Sequence, residues 1–357
     1  MLLDSEQIGG QMERKTVGWV AHSTRGMIDC HISLTQDLCR TYGIKISDAV
    51  CMGISDTYDF DVWIEKHGKV PCLAILGRNP STEGLIYEKL NFDFTEKKTV
   101  DKVQFAHEVA QCIDEGVCVL ACVDRYYLPY LVRKFPVSHF GQHWVLIFAI
   151  KRVKSVLYFG VYDVFFRVPI WISEDDMHRA RSSDWQPYPP DSKYFVPRKR
   201  DGWKKPQKEE IAELIHTSAR HTAHRMLSSE ESGVNGMLIA ADELTAFTEK
   251  MANDPKFMKL LKYQYYMLQS MVGKFEPTHS MYRITYAKFL RDSKKKYGIF
   301  TESQCKQMEE IGQKWSKLYQ TMLKSEATEG INHFIQQLRI IADDEKRLFS
   351  DIYDYLT

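Results

Sequence analysis

With 357 residues, 44% of them hydrophobic and 27% charged, the chain has the make-up of a globular protein of two domains. A net charge of +1 leaves no basic footprint for nucleic acid or an anionic membrane. The longest apolar runs, VCVLACV and HWVLIFAI, are too short to span a bilayer.

The opening MLLDSEQIGG carries acids early and has no basic segment before an apolar core, so it does not read as a secretory signal. With eight cysteines and no CxxC pair, this points to the cytoplasm and to reduced thiols. CHISLTQDLCRTYG (30–43) reads as a helix. Asp29 can cap it, Leu34, Leu38 and Tyr42 recur at near-helical spacing, and Gly43 can end it in a left-handed turn. VPCLAILG (70–77) reads as a short buried strand. TVDKVQFAHEVAQCIDEG (99–116) reads as an amphipathic helix with a stripe of Val103, Ala106, Val109, Ala110 and Ile113, stopped by Gly116.

Three strands follow: VCVLACVD (117–124), HWVLIFAIK (143–151) and SVLYFGVYD (155–163). The tetrad RVKS between the last two suggests a hairpin, in which the start of one strand lies beside the end of the other. His143 and Asp163 should therefore be neighbours at one edge of the sheet. VDRYYLPY (123–130) runs from a strand into an Asp, three tyrosines and a Pro on a loop at the sheet edge, where the tyrosines either line a pocket or pack against the helical domain. The stretch 186–208 is rich in Pro and charge and reads as a linker or an extended crossing segment. Beyond it, helical patterning continues to the end with no strand signal and no fixed repeat.

Metal and nucleotide chemistry find little support. Cys118 and Cys122 fall on one side of a strand with no further ligands in view, which favours buried packing. His216, His221 and His224 share a helix without nearby carboxylates or cysteines, which favours a solvated face. No glycine-rich phosphate loop occurs in a strand-to-helix context.

Cysteine catalysis needs a thiolate, a base and oxyanion donors. A helix starting at Cys30 supplies unpaired N–H groups and the positive end of a helix dipole, which favour both a thiolate and an oxyanion. His143 supplies a base, and Asp163 can orient its ring. The order Cys, His, Asp, with the Cys on a helix and the others on strands, is that of papain-like folds. Each residue alone is more often structural; the combination is the signal. His31, next to Cys30, points to another face of the helix and is a candidate for substrate binding.

DCHISLTQDLCRTYGIKISDAVCMGISDTYDF, then VCVLACVDRYYLPY and HFGQHWVLIFAIKRVKSVLYFGVYD, resemble the N-terminal domain of the butirosin biosynthesis protein H family. GVNGMLIAADELTAF and MYRITYAKFLRDS resemble its accompanying helical domain, so the resemblance spans roughly residues 25–345. It implies an α+β, papain-like domain with an antiparallel sheet over 1–190, a linker over 191–208 and an all-helical domain over 209–357. It implies Cys30 as nucleophile, His143 as base and Asp163 as the orienting acid, with Asp124, Tyr126, Tyr127 and Tyr130 bordering the site. The activity implied is acyl transfer from the phosphopantetheine thioester of a carrier protein to a small-molecule amine, in secondary-metabolite biosynthesis, with no other cofactor and no metal. Two departures stand out. EPTHSMYR lacks the glycine-rich turn the family carries before its aromatic-Arg motif, which puts the acceptor in question. No glutamine shortly precedes Cys30, which leaves Gln142 as a weak substitute oxyanion donor.

Two rivals share the residues. A cysteine peptidase, amidase or thioesterase would use the same triad with water as acceptor. A binding protein that kept only the fold would have an unreactive Cys30. The acyl group, carrier, amine and oligomeric state are not legible, although the apolar C-terminal helices offer a homodimer surface.

Overall fold

The computed structural model describes residues 14–18, 20, 22, 30–67, 70–79, 81, 84–132, 138–186, 188–251, 255–274 and 278–357. The opening decapeptide and Asp29, read above as a helix cap, lie outside them. The described residues gather into two compact units, one within Met1–Gly26, Ser33–Lys45 and Leu90–Lys205, the other within Met27–Ile32, Ile46–Lys89 and Pro206–Thr357. The fold is the expected α+β arrangement followed by helices, but the division differs from a cut near residue 190: residues 46–89 cluster with the C-terminal helices.

The first unit is built on a seven-stranded antiparallel sheet. Its strands are β1 (Arg14–Thr16), β4 (Phe92–Lys98), β5 (Val119–Val123), β6 (His143–Val153), β7 (Val156–Tyr162), β8 (Ile170–Ser173) and β9 (Lys193–Lys199). They run in the order β4-β9-β5-β6-β7-β8, with β1 also paired to β6. Strand β9 lies inside the stretch read from composition as a linker. Its composition hides an inward face: Tyr194 and Val196 are fully buried, and Pro197, also buried, sits opposite Phe94 on β4, beyond the two residues that pair with β5.

One face of this sheet forms the core. It carries Val119, Ala121 and Val123 of β5, Val145 and Ile147 of β6, and Phe159 and Val161 of β7. Helices α4 (Lys102–Asp114) and α6 (Glu174–Arg181) cover it through Phe105, Val109 and Ile113, and through Met177 and Ala180. Asp101 caps α4 by accepting the Gln104 N–H at 2.7 Å. The buried stripe of α4 is rotated from the one expected: Val103 is 68% exposed, and Phe105 and Cys112 take the inward positions.

Helix α1 (Cys30–Thr41) is buried from His31 to Cys39. Its end is a Schellman turn. Gly43 has φ +79°, its N–H donates to Arg40 O, and the Ile44 N–H donates to Cys39 O.

The second unit holds α2 (Asp48–Ile54), the antiparallel hairpin β2 (Tyr58–His67) and β3 (Val70–Arg78), α3 (Leu85–Lys89), and helices α7 (Lys208–Ser228), α8 (Gly233–Met251), α9 (Pro255–Lys274), α10 (Arg283–Tyr297), α11 (Glu302–Met322) and α12 (Ala327–Leu356). The expected strand at 70–77 is therefore one arm of a hairpin that belongs with these helices, so the unit is not purely helical. The apolar stripe of α12, from Ile331 through Leu338 and Leu348 to Leu356, is buried within the unit, so it is not the open dimer surface that the pattern offered. Glu345 interrupts that stripe and is matched by Arg283. The two side chains are fully buried and doubly bonded at 2.8 and 3.0 Å, and Arg283 also donates to the carbonyls of Asp59 and Met281. His279, Met281 and Tyr282, in the glycine-free turn before α10, all have positive φ, the conformation that glycine adopts without strain. No described helix is long and apolar enough to cross a membrane.

Candidate functional site

His143 is the first residue of β6 and Asp163 immediately follows β7. The hairpin begins with Val153 opposite Val156 and keeps simple register to Ala149 opposite Gly160; then Ile147 lies opposite Val161. Phe148 is thus an extra residue, a β-bulge. Counted on from the turn without it, Asp163 would fall opposite Leu146 and face away from His143. With it, Asp163 aligns with Val145 and shares the core face with His143.

On that face His143 Nε2 lies 2.8 Å from Asp163 Oδ2. The same oxygen accepts the Tyr130 hydroxyl at 2.8 Å, while Oδ1 accepts the Phe165 N–H at 3.1 Å. Both dyad residues are buried. Burial alone would raise the Asp163 pKa, but the charge and hydrogen bond of His143, the Phe165 N–H and the Tyr130 hydroxyl outweigh it and hold the carboxyl below the usual carboxylate range. An ionised Asp163 fixes the imidazole proton on Nε2 and leaves the lone pair on Nδ1. The Phe165 ring stacks against the imidazole at 5.6 Å.

Cys30 opens α1 and is the one partly exposed cysteine of the eight; the other seven are buried. Cys118 and Cys122 behave as packing residues: burial pushes the Cys118 thiol up to about 12, and the Cys122 thiol donates to Gly141 O. No group of metal-binding side chains occurs among the described residues, and of the helical histidines His221 and His224 are exposed.

The residues expected to border the site divide. Tyr130 touches the dyad through Asp163. Asp124 caps the short 3-10 turn Arg125–Tyr127 and accepts from the N–H groups of Tyr126 and Phe140, from His139 Nδ1 and from the Ser183 hydroxyl, so its carboxylate is occupied in bracing loops. Tyr126 stacks on His139 at 3.9 Å, and Tyr127 packs on the core. Gln142 donates an amide N–H to Pro189 O at 2.7 Å and accepts from Lys193 at the start of β9. His31 is buried, with its ring edge toward Tyr87 at 6.5 Å.

Besides His139–Asp124, sequence reasoning missed a buried His–acid pair. His22 Nδ1 lies 2.6 Å from Asp37 Oδ2, and its Nε2 lies 2.6 Å from the Phe166 carbonyl. Asp37 is an acid on a helix otherwise buried, a readable anomaly, but neither partner is near it in sequence.

These features meet a family match. The model for butirosin biosynthesis protein H, N-terminal, matches residues 29–159, and a second model, described as a domain of unknown function, matches residues 175–352. The chain belongs to the butirosin biosynthesis protein H-like family, a family of biosynthetic proteins. No curated protein sequence matches it.

Proposed function

We propose that this chain is a cysteine-dependent acyltransferase of secondary-metabolite biosynthesis, which takes an acyl group from a carrier-protein phosphopantetheine thioester and passes it to an amine. The observation that carries the reading is the buried His143–Asp163 dyad in a chain whose single partly exposed cysteine begins a buried helix.

The Cys30 thiol gives its proton to His143 Nδ1, and the sulfur attacks the thioester carbonyl. N–H groups of the first turn of α1 supply hydrogen bonds to the oxyanion. The carbon–sulfur bond to pantetheine breaks, and that thiol leaves with the proton from His143. An amine then attacks the Cys30 acyl-thioester, gives its proton to His143 and departs as an amide, while the cysteine recovers its proton. Thioester and amine become amide and thiol, with no net change in oxidation state. Asp163 stabilises the imidazolium in both half-reactions.

Hydrolysis by the same three residues is the second reading, and it differs only in the acceptor. Intact-mass measurement after exposure to an acyl-pantetheine thioester, without amine, tests both. An adduct on the wild type and none on Cys30→Ala supports covalent acyl transfer. Adding amines then separates amide formation from hydrolysis. Thioester left intact by the wild type across several acyl chains would sink both readings in favour of a binding protein.

A further inference from the structure

His22 is a titratable group with a buried side chain that the mechanism above does not use. Its ring stacks on Tyr162 at 4.4 Å, and its two nitrogens reach Asp37 on α1 and the carbonyl of Phe166. These contacts bracket Asp163: Tyr162 precedes it, and Phe166 closes the turn after it by donating its N–H to the Asp163 carbonyl at 3.0 Å. The Phe166 ring in turn meets Tyr130 edge-on at 5.4 Å, and the Tyr130 hydroxyl is bonded to Asp163. A carbonyl can only accept, so Nε2 of His22 must carry a proton. Nδ1 faces a carboxylate, which calls for a second proton. The side chains of His22 and Asp37 are 4% and 1% exposed, so this is an enclosed ion pair and not a surface contact.

We propose that His22 is a positioning residue for the candidate base: as an imidazolium bridging Asp37 and the Phe166 carbonyl, it clamps the turn Asp163–Phe166 and thereby the carboxylate that orients His143. The assignment rests on the acyl-transfer reading for its use, but the clamp itself is a matter of hydrogen bonding within one unit. A turn released at Phe166 frees Asp163 at one end and Phe165, stacked on the imidazole, at the other. The groups facing His22 are Asp37 from α1, and Tyr162 and Asp163 from β7 and its following turn. Burial works against a charged imidazole, but the Asp37 bond, the Phe166 carbonyl and the charges of Asp37 and Asp163 outweigh it and raise the His22 pKa above its ordinary value. The clamp is therefore intact below that raised pKa and is lost as pH rises through it.

The test is NMR of the full chain with ring-15N histidine, on wild type, His22→Phe and Asp37→Asn, paired with the acylation time course. The expected wild-type spectrum shows two ring N–H signals for His22 at neutral pH and a protected Nε2–H for His143. In both variants that His143 proton exchanges roughly tenfold faster or more, and acylation slows by roughly the same factor at unchanged half-saturating thioester. A merely structural role would leave the His143 signal unmoved in any variant that keeps its native spectrum, and that result overturns the proposal. So does a single ring N–H on wild-type His22. If a variant fails to fold, the wild-type titration decides: the His143 signal weakens in step with loss of the second His22 proton, or the clamp is refuted. The ring signals judge the clamp whether or not Cys30 takes an acyl group, whereas an unacylated wild type with intact signals removes the acyl-transfer reading alone.

Discussion

His143 and Asp163 face each other because Phe148 is surplus to the β6–β7 register. A hairpin in continuous register would carry the same two residues on opposite faces of the sheet. The bulge converts a pairing that is close along the strands into one that is close in space.

Replacing Asp163 with Asn tests what that placement is for. The amide keeps the size but loses the charge that stabilises an imidazolium, and it can present N–H to the ring and select the wrong tautomer. Acylation of Cys30 should fall by about 10³–10⁴-fold with the fold intact, read by single-turnover mass measurement beside circular dichroism.

Tyr130→Phe removes one of three donors to the same buried carboxylate. A hydrogen bond to a charged group contributes about 1.5–3 kcal/mol, so the denaturant midpoint at neutral pH should drop accordingly. The pH sign follows from the depressed Asp163 pKa. Its stabilisation is full above the ordinary carboxylate range and is lost as pH falls through the lower folded value. With a donor gone the folded value rises, so acid unfolding of Tyr130→Phe should begin at higher pH than in the wild type. An unchanged acid midpoint would count against the hydroxyl as a determinant of the ionised state.

Cysteine exposure predicts stoichiometry. Native protein treated briefly with iodoacetamide should gain one label, at Cys30, while denatured protein gains eight. Labelling at any of the seven buried thiols in the native state would contradict the burial described.

In the second unit, Arg283→Met leaves the fully buried Glu345 carboxylate without the guanidinium that faces it. Breaking one side of such a pair costs about 3–5 kcal/mol. The double variant Arg283→Met, Glu345→Leu should recover a large part of that loss. Urea melts of the two variants compare them directly, and equal destabilisation would show that packing, not the orphaned charge, dominates.

Much of this molecule can be read from its sequence where the signal is local. Helix α1, its glycine stop and the β6–β7 hairpin follow from residue spacing and turn chemistry. The pairing of His143 with Asp163 was legible as proximity, though not the bulge that makes it face to face, because an extra residue within the apolar run Trp144–Ile150 breaks no visible pattern. The rotated stripe of α4 was hidden for a related reason: Val103 and Phe105 are both apolar, and only the sheet decides which turns inward. Strand β9 was lost to its own composition, and the His22–Asp37–Phe166 contacts span up to 144 residues, a separation that no periodicity records.

The place of β9 also sets an order of events. Strand β4 has β9 as its neighbour in the sheet, and β9 fills the slot between β4 and β5, yet it is the last strand of the unit to leave the ribosome. Until Lys193–Lys199 emerges, β4 has no partner and β5 presents an open edge, the kind of surface that recruits other chains. Completion of this sheet therefore waits on a closure across about a hundred residues, from Phe92 paired with Lys199, a non-local pairing of the kind that slows folding.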